Sequence, residues 1–363
     1  MKILHVVPTY IPAYRYGGPI YSVHGLCKAL AGLGHDVHVF TTNVDGDKDS
    51  DVPLGRPVDL DGVKVWYFPS ERIRRLYWSP PMKKALERQL PTFEVVHLHS
   101  IFLWPTWAAA RIARKVEIPY IIAPRGILVK ELIKKKSHIA KNVWIRLIER
   151  KNLEHAAAIH VTTKNERDEV VKFRFKFPKI IIVPNGVNLK EIKAHDKQVA
   201  PFITDLTKKK PFILFLSRIS WKKGLDRLIP ALTYVPEIHL IIAGNDDENY
   251  KPKIETLAAS YGVRNRITFT GPVYGADKVA LMTNASVFIL PSYSENFGNV
   301  VLEAMAVECP VVVTPEVGIS DIVQNSGAGL VVNGAPEKLG AALKNILSNP
   351  QKLADGKNGE NDN

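Results

Sequence analysis

The stretch ASVFILPSYSENFGNVVLEAMAVECPVVVTP, residues 285–315, decides the fold. It opens on an apolar run, ASVFILPS, which breaks at Pro291, and it then passes through a polar turn containing Gly298. NVVLEAMA reads as a helix, and CPVVVTP returns to a short β-branched run. Strand, turn, helix, strand is the repeating unit of a parallel sheet, since parallel neighbours need a crossover and a helix commonly makes it.

The same rhythm continues outward in both directions. KILHVV, HDVHVFTT, VKVWYF, FEVVHLHS, PYIIAP, AAIHVTT and KIIIVPN read as strands of a first half. FILFLSR, IHLIIAG, RITFTG and GLVV join the opening stretch in a second. Amphipathic segments such as YSVHGLCKALAGLG and GLDRLIPALTYV lie between them. The expected class is α/β, with two Rossmann-like, doubly wound domains carrying helices on both faces of each sheet. The polar, weakly periodic segment Lys190 to Pro211 is the expected joint, giving domains at 1–195 and 196–363. Ligands of such sheets bind beyond the carboxyl ends of the strands. The informative residues are therefore those that follow the apolar runs directly.

The 363 residues, 46% of them hydrophobic, suffice for two cores. Two distant cysteines, Cys27 and Cys309, argue against a disulfide framework or zinc site and suit a reducing, cytoplasmic setting. No apolar run approaches the ~18–20 residues of a membrane span, and MKILHVVPTY reads as a first strand rather than a signal peptide. The charge is uneven: residues 1–195 hold 32 Lys and Arg against 18 Asp and Glu, whereas residues 196–363 hold 17 against 18. A basic first half points to an anionic partner. Lys130–Asn152, with Ile139, Val143 and Leu147 among its cations, and Glu71–Lys84, with Arg72, Arg74, Arg75, Tyr77 and Trp78, fit peripheral contact with an anionic membrane surface. The competing reading packs the first segment's apolar stripe on its own sheet. Nucleic acid is disfavoured as a partner, because no helix-turn-helix, RRM or zinc pattern accompanies the charge.

Glu295 and Glu303 flank the mouth of the helix in the opening stretch, where Gly298 and Asn299 place unpaired N–H groups and a positive dipole end suited to phosphate. Their α-carbons are expected on the order of 12 Å apart at ~1.5 Å of rise per residue. The carboxyl groups of glycosidase pairs stand about 5–10 Å apart, a gap that side chains can reach, so the spacing alone leaves hydrolysis open. Two ends of an extended, hydroxyl-bearing ligand are the better match, although a helix cap at Glu295 and a solvated Glu303 explain the pair alone. LFLSRISWKKG adds Arg218 and Lys223 after another strand, an arginine fork and a lysine point charge that suit a pyrophosphate. Gly17 and Gly18, between the first strand and helix, let the backbone approach a phosphate.

Together these segments, with HLHS, APRG, VTTKNE and VPNGV in order, resemble the family 4 retaining glycosyltransferases of the GT-B type, above all bacterial enzymes building surface polysaccharides. The resemblance covers nearly the whole chain. It implies two facing domains with a cleft, the nucleotide sugar held mainly by the second and the acceptor by the first. Glu303 would hold the donor ribose and Glu295 the sugar hydroxyls. Arg218 and Lys223 would neutralise the leaving diphosphate, with Gly17, Gly18, Gly298 and Asn299 supporting it and Phe297 and Val300 lining the same site. Thr270–Val273 would meet the base, Val273 included. His99 matches a histidine that contacts the donor sugar, whereas His97 is expected to face the core, and Arg125 is expected on the acceptor or a phosphate. The implied reaction moves a hexose from a UDP-sugar, with UDP-glucose favoured, to a saccharide or lipid-linked saccharide, without a metal or other cofactor. A nucleotide-sugar epimerase of the same fold is the alternative. A dehydrogenase is disfavoured by the lack of GxGxxG after the first strand.

Overall fold

A computed structural model describes residues 1–135, 143–189, 192, 198–208, 211–246 and 248–348. The expected boundary at 195/196, much of the proposed joint, Ile139 with its lysine run and Asp247 lie outside the described residues. The chain forms two compact units, Met1–Gly186 and Val187–Asn363.

In unit 1, β1 (Lys2–Val6), α1 (Gly18–Gly32), β2 (Asp36–Thr42), β3 (Pro57–Leu60), β4 (Val63–Phe68), α2 (Pro80–Gln89), β5 (Val95–His99), α3 (Trp104–Lys115), β6 (Tyr120–Ala123), β7 (Ala158–Val161), α4 (Lys164–Val171) and β8 (Lys179–Ile182) follow in order. They give one eight-stranded sheet ordered β8-β7-β6-β5-β1-β2-β4-β3. Neighbours pair parallel except β3 against β4, an antiparallel edge. Period-two alternation loads both faces. Leu4, Val6, Phe40, Val96 and Leu98 pack with α2 and α3 on one side. Val37, Val39, Val63 and Val65 pack with Val23 and Cys27 of α1 on the other.

Unit 2 runs β9 (Phe212–Leu216), α5 (Leu225–Ala231), β10 (His239–Ala243), α6 (Lys251–Ser260), β11 (Ile267–Gly271), α7 (Gly275–Asn284), β12 (Val287–Leu290), α8 (Asn299–Ala306), β13 (Val311–Val313), α9 (Ser320–Ser326), β14 (Gly329–Val331) and α10 (Pro336–Ser348). Its sheet is wholly parallel, ordered β11-β10-β9-β12-β13-β14. Strands covered on both faces must be apolar throughout, and FILFL and VFIL are, with Phe212–Phe215 and Val287–Leu290 fully buried. The apolar runs read from the sequence are all strands here. The edge strand β3 was missed, because PVDL lacks an apolar run.

In each unit the strand order reverses beside its first strand, between β1 and β5 and between β9 and β12. These are the topological switch points at which such sheets bind ligands.

Candidate active site

In unit 2 the loops after β9 and β12 meet. The turn Trp221–Lys223 ends at Gly224, whose φ is 73°, and a Cβ there would lie 1.9 Å from the Pro291 carbonyl oxygen. Only glycine lets the two chains approach so closely. The Tyr293 N–H donates to the Lys222 carbonyl at 2.8 Å, tying the loops together. Lys223 Nζ consequently reaches the Glu295 carboxylate and donates to it, with the side chains 10% and 21% exposed. Burial pushes the Glu295 carboxyl up, but the charge and hydrogen bond of Lys223, a bond from the Phe297 N–H and the charge of Arg218 outweigh it. The group ends below the usual carboxylate range. A pair this buried adds little net stability, since desolvation consumes most of the Coulomb gain. Its effect is to fix a cation and a carboxylate at the carboxyl edge of the sheet.

The rest of that loop is held from behind. The Glu295 N–H donates to the Glu316 carbonyl at 3.1 Å, and the Gly318 N–H donates to the Glu295 carbonyl at 2.9 Å. Gly298, at φ 100° and ψ 52°, opens α8 with no side-chain cap, a conformation that disfavours side chains. Asn299 and Val300 form the first turn of α8. The ring of Phe297 belongs to the core at 4% exposure, and its backbone N–H donates to Glu295. Arg218 is exposed just beyond β9. Glu303, further along α8, accepts from Lys278 Nζ on α7 at 2.9 Å. Lys278 went unnoticed in the sequence, where its place in the first turn of a helix after FTGPV was the available signal. Val273 lies just past the end of β11 and packs partly against the core.

In unit 1 the carboxyl ends of β1, β5 and β6 gather a second polar cluster. His5 pairs in register with His97, and His97 and His99, two apart, lie on one face with ring centroids 4.2 Å apart. The expectation that separated His97 from His99 is thereby corrected: the period-two strand carries both to the α1 side, while Val96 and Leu98 fill the other. Arg125 donates to His99 Nδ1 at 3.1 Å and to Asn185 Oδ1 at 3.0 Å. A neutral His99 must then carry its proton on Nε2, which faces His5 Nδ1 at 3.0 Å. His160 Nε2 lies 3.0 Å from the Val183 carbonyl and its Nδ1 3.2 Å from His97 Nε2, which assigns those tautomers as well. Burial, with Arg125 adding to it, lowers all four histidines, and neighbouring rings lower His5, His97 and His99 further, His5 to about 3. Ring nitrogens of His5, His97 and His99 lie within 4.8 Å of one another, as in a metal site. The guanidinium bonded to His99 repels a dication there, and hydrogen bonds tie the rings to one another, with only His5 Nε2 of them buried without a partner among the described residues. Both nitrogens of His99 are engaged inside unit 1, so no free ring nitrogen is presented to a donor sugar. Gly17, at φ 71°, opens α1 with open space where a Cβ would stand, and Gly18 begins the helix.

Residues 196–361 match the model of glycosyl transferases group 1, and residues 17–186 match the glycosyl transferase 4-like domain. The chain belongs to the family 4 glycosyltransferases of the GT-B type. A glycosyltransferase of Methanocaldococcus jannaschii is 27% identical over 96% of this chain and 89% of its own. The D-inositol 3-phosphate glycosyltransferase of Xylanimonas cellulosilytica is 25% identical over 88% and 80%. A Mycobacterium enzyme of that name aligns with 51% of this glycosyltransferase and 43% of its own length, at 28% identity. Among solved structures, sucrose-phosphate synthase of Thermosynechococcus elongatus superimposes with a TM-score of 0.74 at 20% identity, over 97% of this chain and 91% of that one. Anabaena HepE in complex with UDP-glucose gives 0.72 at 19%, over 98% and 92%. At these identities the structural matches establish the fold alone.

Proposed function

We propose that this glycosyltransferase moves a hexose, glucose from UDP-glucose in the simplest case, to a hydroxyl of a saccharide or lipid-linked saccharide in polysaccharide assembly, with retained anomeric configuration. The observation that carries the reading is the Lys223–Glu295 pair at the switch point of unit 2, with Arg218 and the uncapped mouth of α8 beside it. Breaking the glycosidic bond leaves positive charge on the sugar and adds negative charge to the diphosphate. Lys223 keeps N–H groups to spare while its bond to Glu295 holds it in place, and Arg218 adds a fork that matches phosphate oxygens. Fixed cations of this kind, aimed at developing charge, often supply the largest catalytic term. They do the work a divalent ion would do, so the reaction is proposed to need none. Glu295 accepts from sugar hydroxyls with its remaining capacity and Glu303 from the ribose. The leaving phosphate oxygen takes the acceptor proton as the acceptor attacks the face that the diphosphate leaves.

Cytoplasmic work at an anionic membrane surface completes the reading. Among the described residues no helix is long and apolar enough to cross a membrane, and both cysteines are free and buried. Val143 and Leu147, of the stripe that would otherwise pack on the sheet, are 51% and 73% exposed, beside Arg146 and Lys151. The second basic segment contributes less than expected. Arg74 is spent on the Gly46 carbonyl and Asp49, and Trp78 packs against the core.

The test is product analysis. Incubation with UDP-glucose and oligosaccharide or lipid-linked acceptors, followed by NMR, is expected to release UDP only when acceptor is present and to yield an α-linked product without added metal. Donor consumption in the absence of acceptor, or a β-linked product, overturns the proposal.

A further inference from the structure

The guanidinium of Arg125 is only partly accounted for by the fold around it. Arg125 stands two residues past the end of β6 with φ at 55°, a left-handed backbone that costs a non-glycine residue on the order of 1–3 kcal/mol. Ser100 and Phe102, just past the adjacent β5, are left-handed too, at 76° and 64°. Strain of this kind gathers where a ligand site over-determines the chain. Of the five N–H donors of the side chain, those to His99 and Asn185 find acceptors, and Nε is buried with none. Both acceptors are neutral. Glu166 offsets part of the charge from nearby, yet its own bonds run to the Gly126 N–H, the Thr162 N–H and the Thr162 hydroxyl, at 2.6, 2.7 and 2.8 Å. Among the described residues no carboxylate stands within the 4.0 Å of an ion pair with Arg125. Burial lowers this guanidinium to about 10, which leaves it charged at neutral pH. The residue is not sealed in, since part of its surface remains exposed. A cation kept at a switch point, among neutral rings, with donors to spare and a planar fork, matches a phosphate group.

We propose that Arg125, braced by His99 and Asn185, is a phosphate-binding subsite of unit 1. The site stands on unit 1 alone. Which substrate brings the phosphate rests on the transferase reading, and two sources share the chemistry: a phosphate on the acceptor, and the diphosphate of the donor. Arg125 is then a binding residue, and His99 and Asn185 are positioning residues that hold its fork.

The experiment follows the Arg125 Nε–H resonance of the full chain by NMR, assigned by its loss in Arg125→Lys. Inorganic phosphate is expected to move it saturably, while chloride at matched ionic strength does not. Methyl phosphate and UDP separate the sources. A shift with methyl phosphate alone assigns the acceptor, and one with UDP assigns the donor. In Arg125→Lys, which keeps the charge and loses the fork, methyl phosphate binding weakens about tenfold, roughly one charge-assisted hydrogen bond. An unmoved resonance with all three phosphates, equal movement with chloride, or unchanged methyl phosphate affinity in Arg125→Lys overturns the subsite. Glycosyl transfer that persists alongside such a result leaves the proposed reaction standing, so the two failures are told apart.

Discussion

The two units share one device, a parallel sheet whose strand order reverses beside its first strand, and they fill the reversal with opposite chemistry. In unit 2 the edge is ionic: Lys223 on Glu295, Lys278 on Glu303, and Arg218 exposed beside them. In unit 1 it is a chain of neutral rings, His5, His97, His99 and His160, with Arg125 as the charge they surround. A paired cation can meet a diphosphate without reorganising, which is why unit 2 is proposed to hold the donor. Neutral, tautomer-fixed rings orient a single guanidinium and repel further cations only weakly. The same topology thus supports two sites whose responses to mutation and pH should differ, and that difference can be broken or sharpened by experiment.

The largest effect is expected at the ionic edge. Lys223→Ala removes the proposed partner of the leaving diphosphate and leaves Glu295 unpaired, so kcat/KM for transfer should fall on the order of 10²–10³-fold. A loss under twofold would dissolve the contrast between the units. Glu303→Gln comes next. Losing a charge-assisted hydrogen bond of about 1.5–3 kcal/mol should weaken donor affinity roughly 10–100-fold while kcat changes less. Steady-state kinetics with varied UDP-glucose reads that split.

Acid should separate the units in space. The four histidines have folded pKa values below their ordinary 6.5, so the stability they contribute is present above 6.5 and is lost as pH falls from there, toward about 3 for His5. Each costs about 1.4 kcal/mol per pH unit once the unfolded chain binds the extra proton. Glu295, lowered below the usual carboxylate range, keeps its contribution down to that range and loses it only beneath. Hydrogen exchange with mass spectrometry between pH 7 and 5 should therefore show peptides of β1, β5 and β7 losing protection before those of β9 and β12. Simultaneous loss in both units would contradict the neutral-cluster account. The smallest effect concerns the surface: Leu147→Glu should abolish co-sedimentation with anionic vesicles while shifting stability by only about 0.5 kcal/mol.

Much of the fold is legible in the amino-acid sequence. Uniformly apolar runs bounded by turns gave the buried parallel strands, since only helix-covered strands tolerate them. Of the residues after those runs, Lys223 and Glu295 pair beside one switch point with Arg218 close enough to act on Glu295, whereas Glu303 pairs with Lys278 on α7. What resisted reading depended on register between distant strands. That His97 shares a face with His5 follows from the pairing of β1 with β5, and Lys278 meets Glu303 only once α7 and α8 are placed. For a related reason only the structure shows that the ring of Phe297 turns back into the core while its backbone stays in the loop. Arg125 could be placed at a strand end, but its unmet donors show only in three dimensions.

The cationic edge of unit 2 is proposed to be where a nucleotide diphosphate binds. Calorimetric titration of UDP into the wild-type chain, Lys223→Ala and Glu303→Gln tests this directly. Saturable binding to the wild type, weakened at least tenfold in both variants while their folds stay intact, is the predicted result. Equal UDP affinity in all three proteins would contradict it.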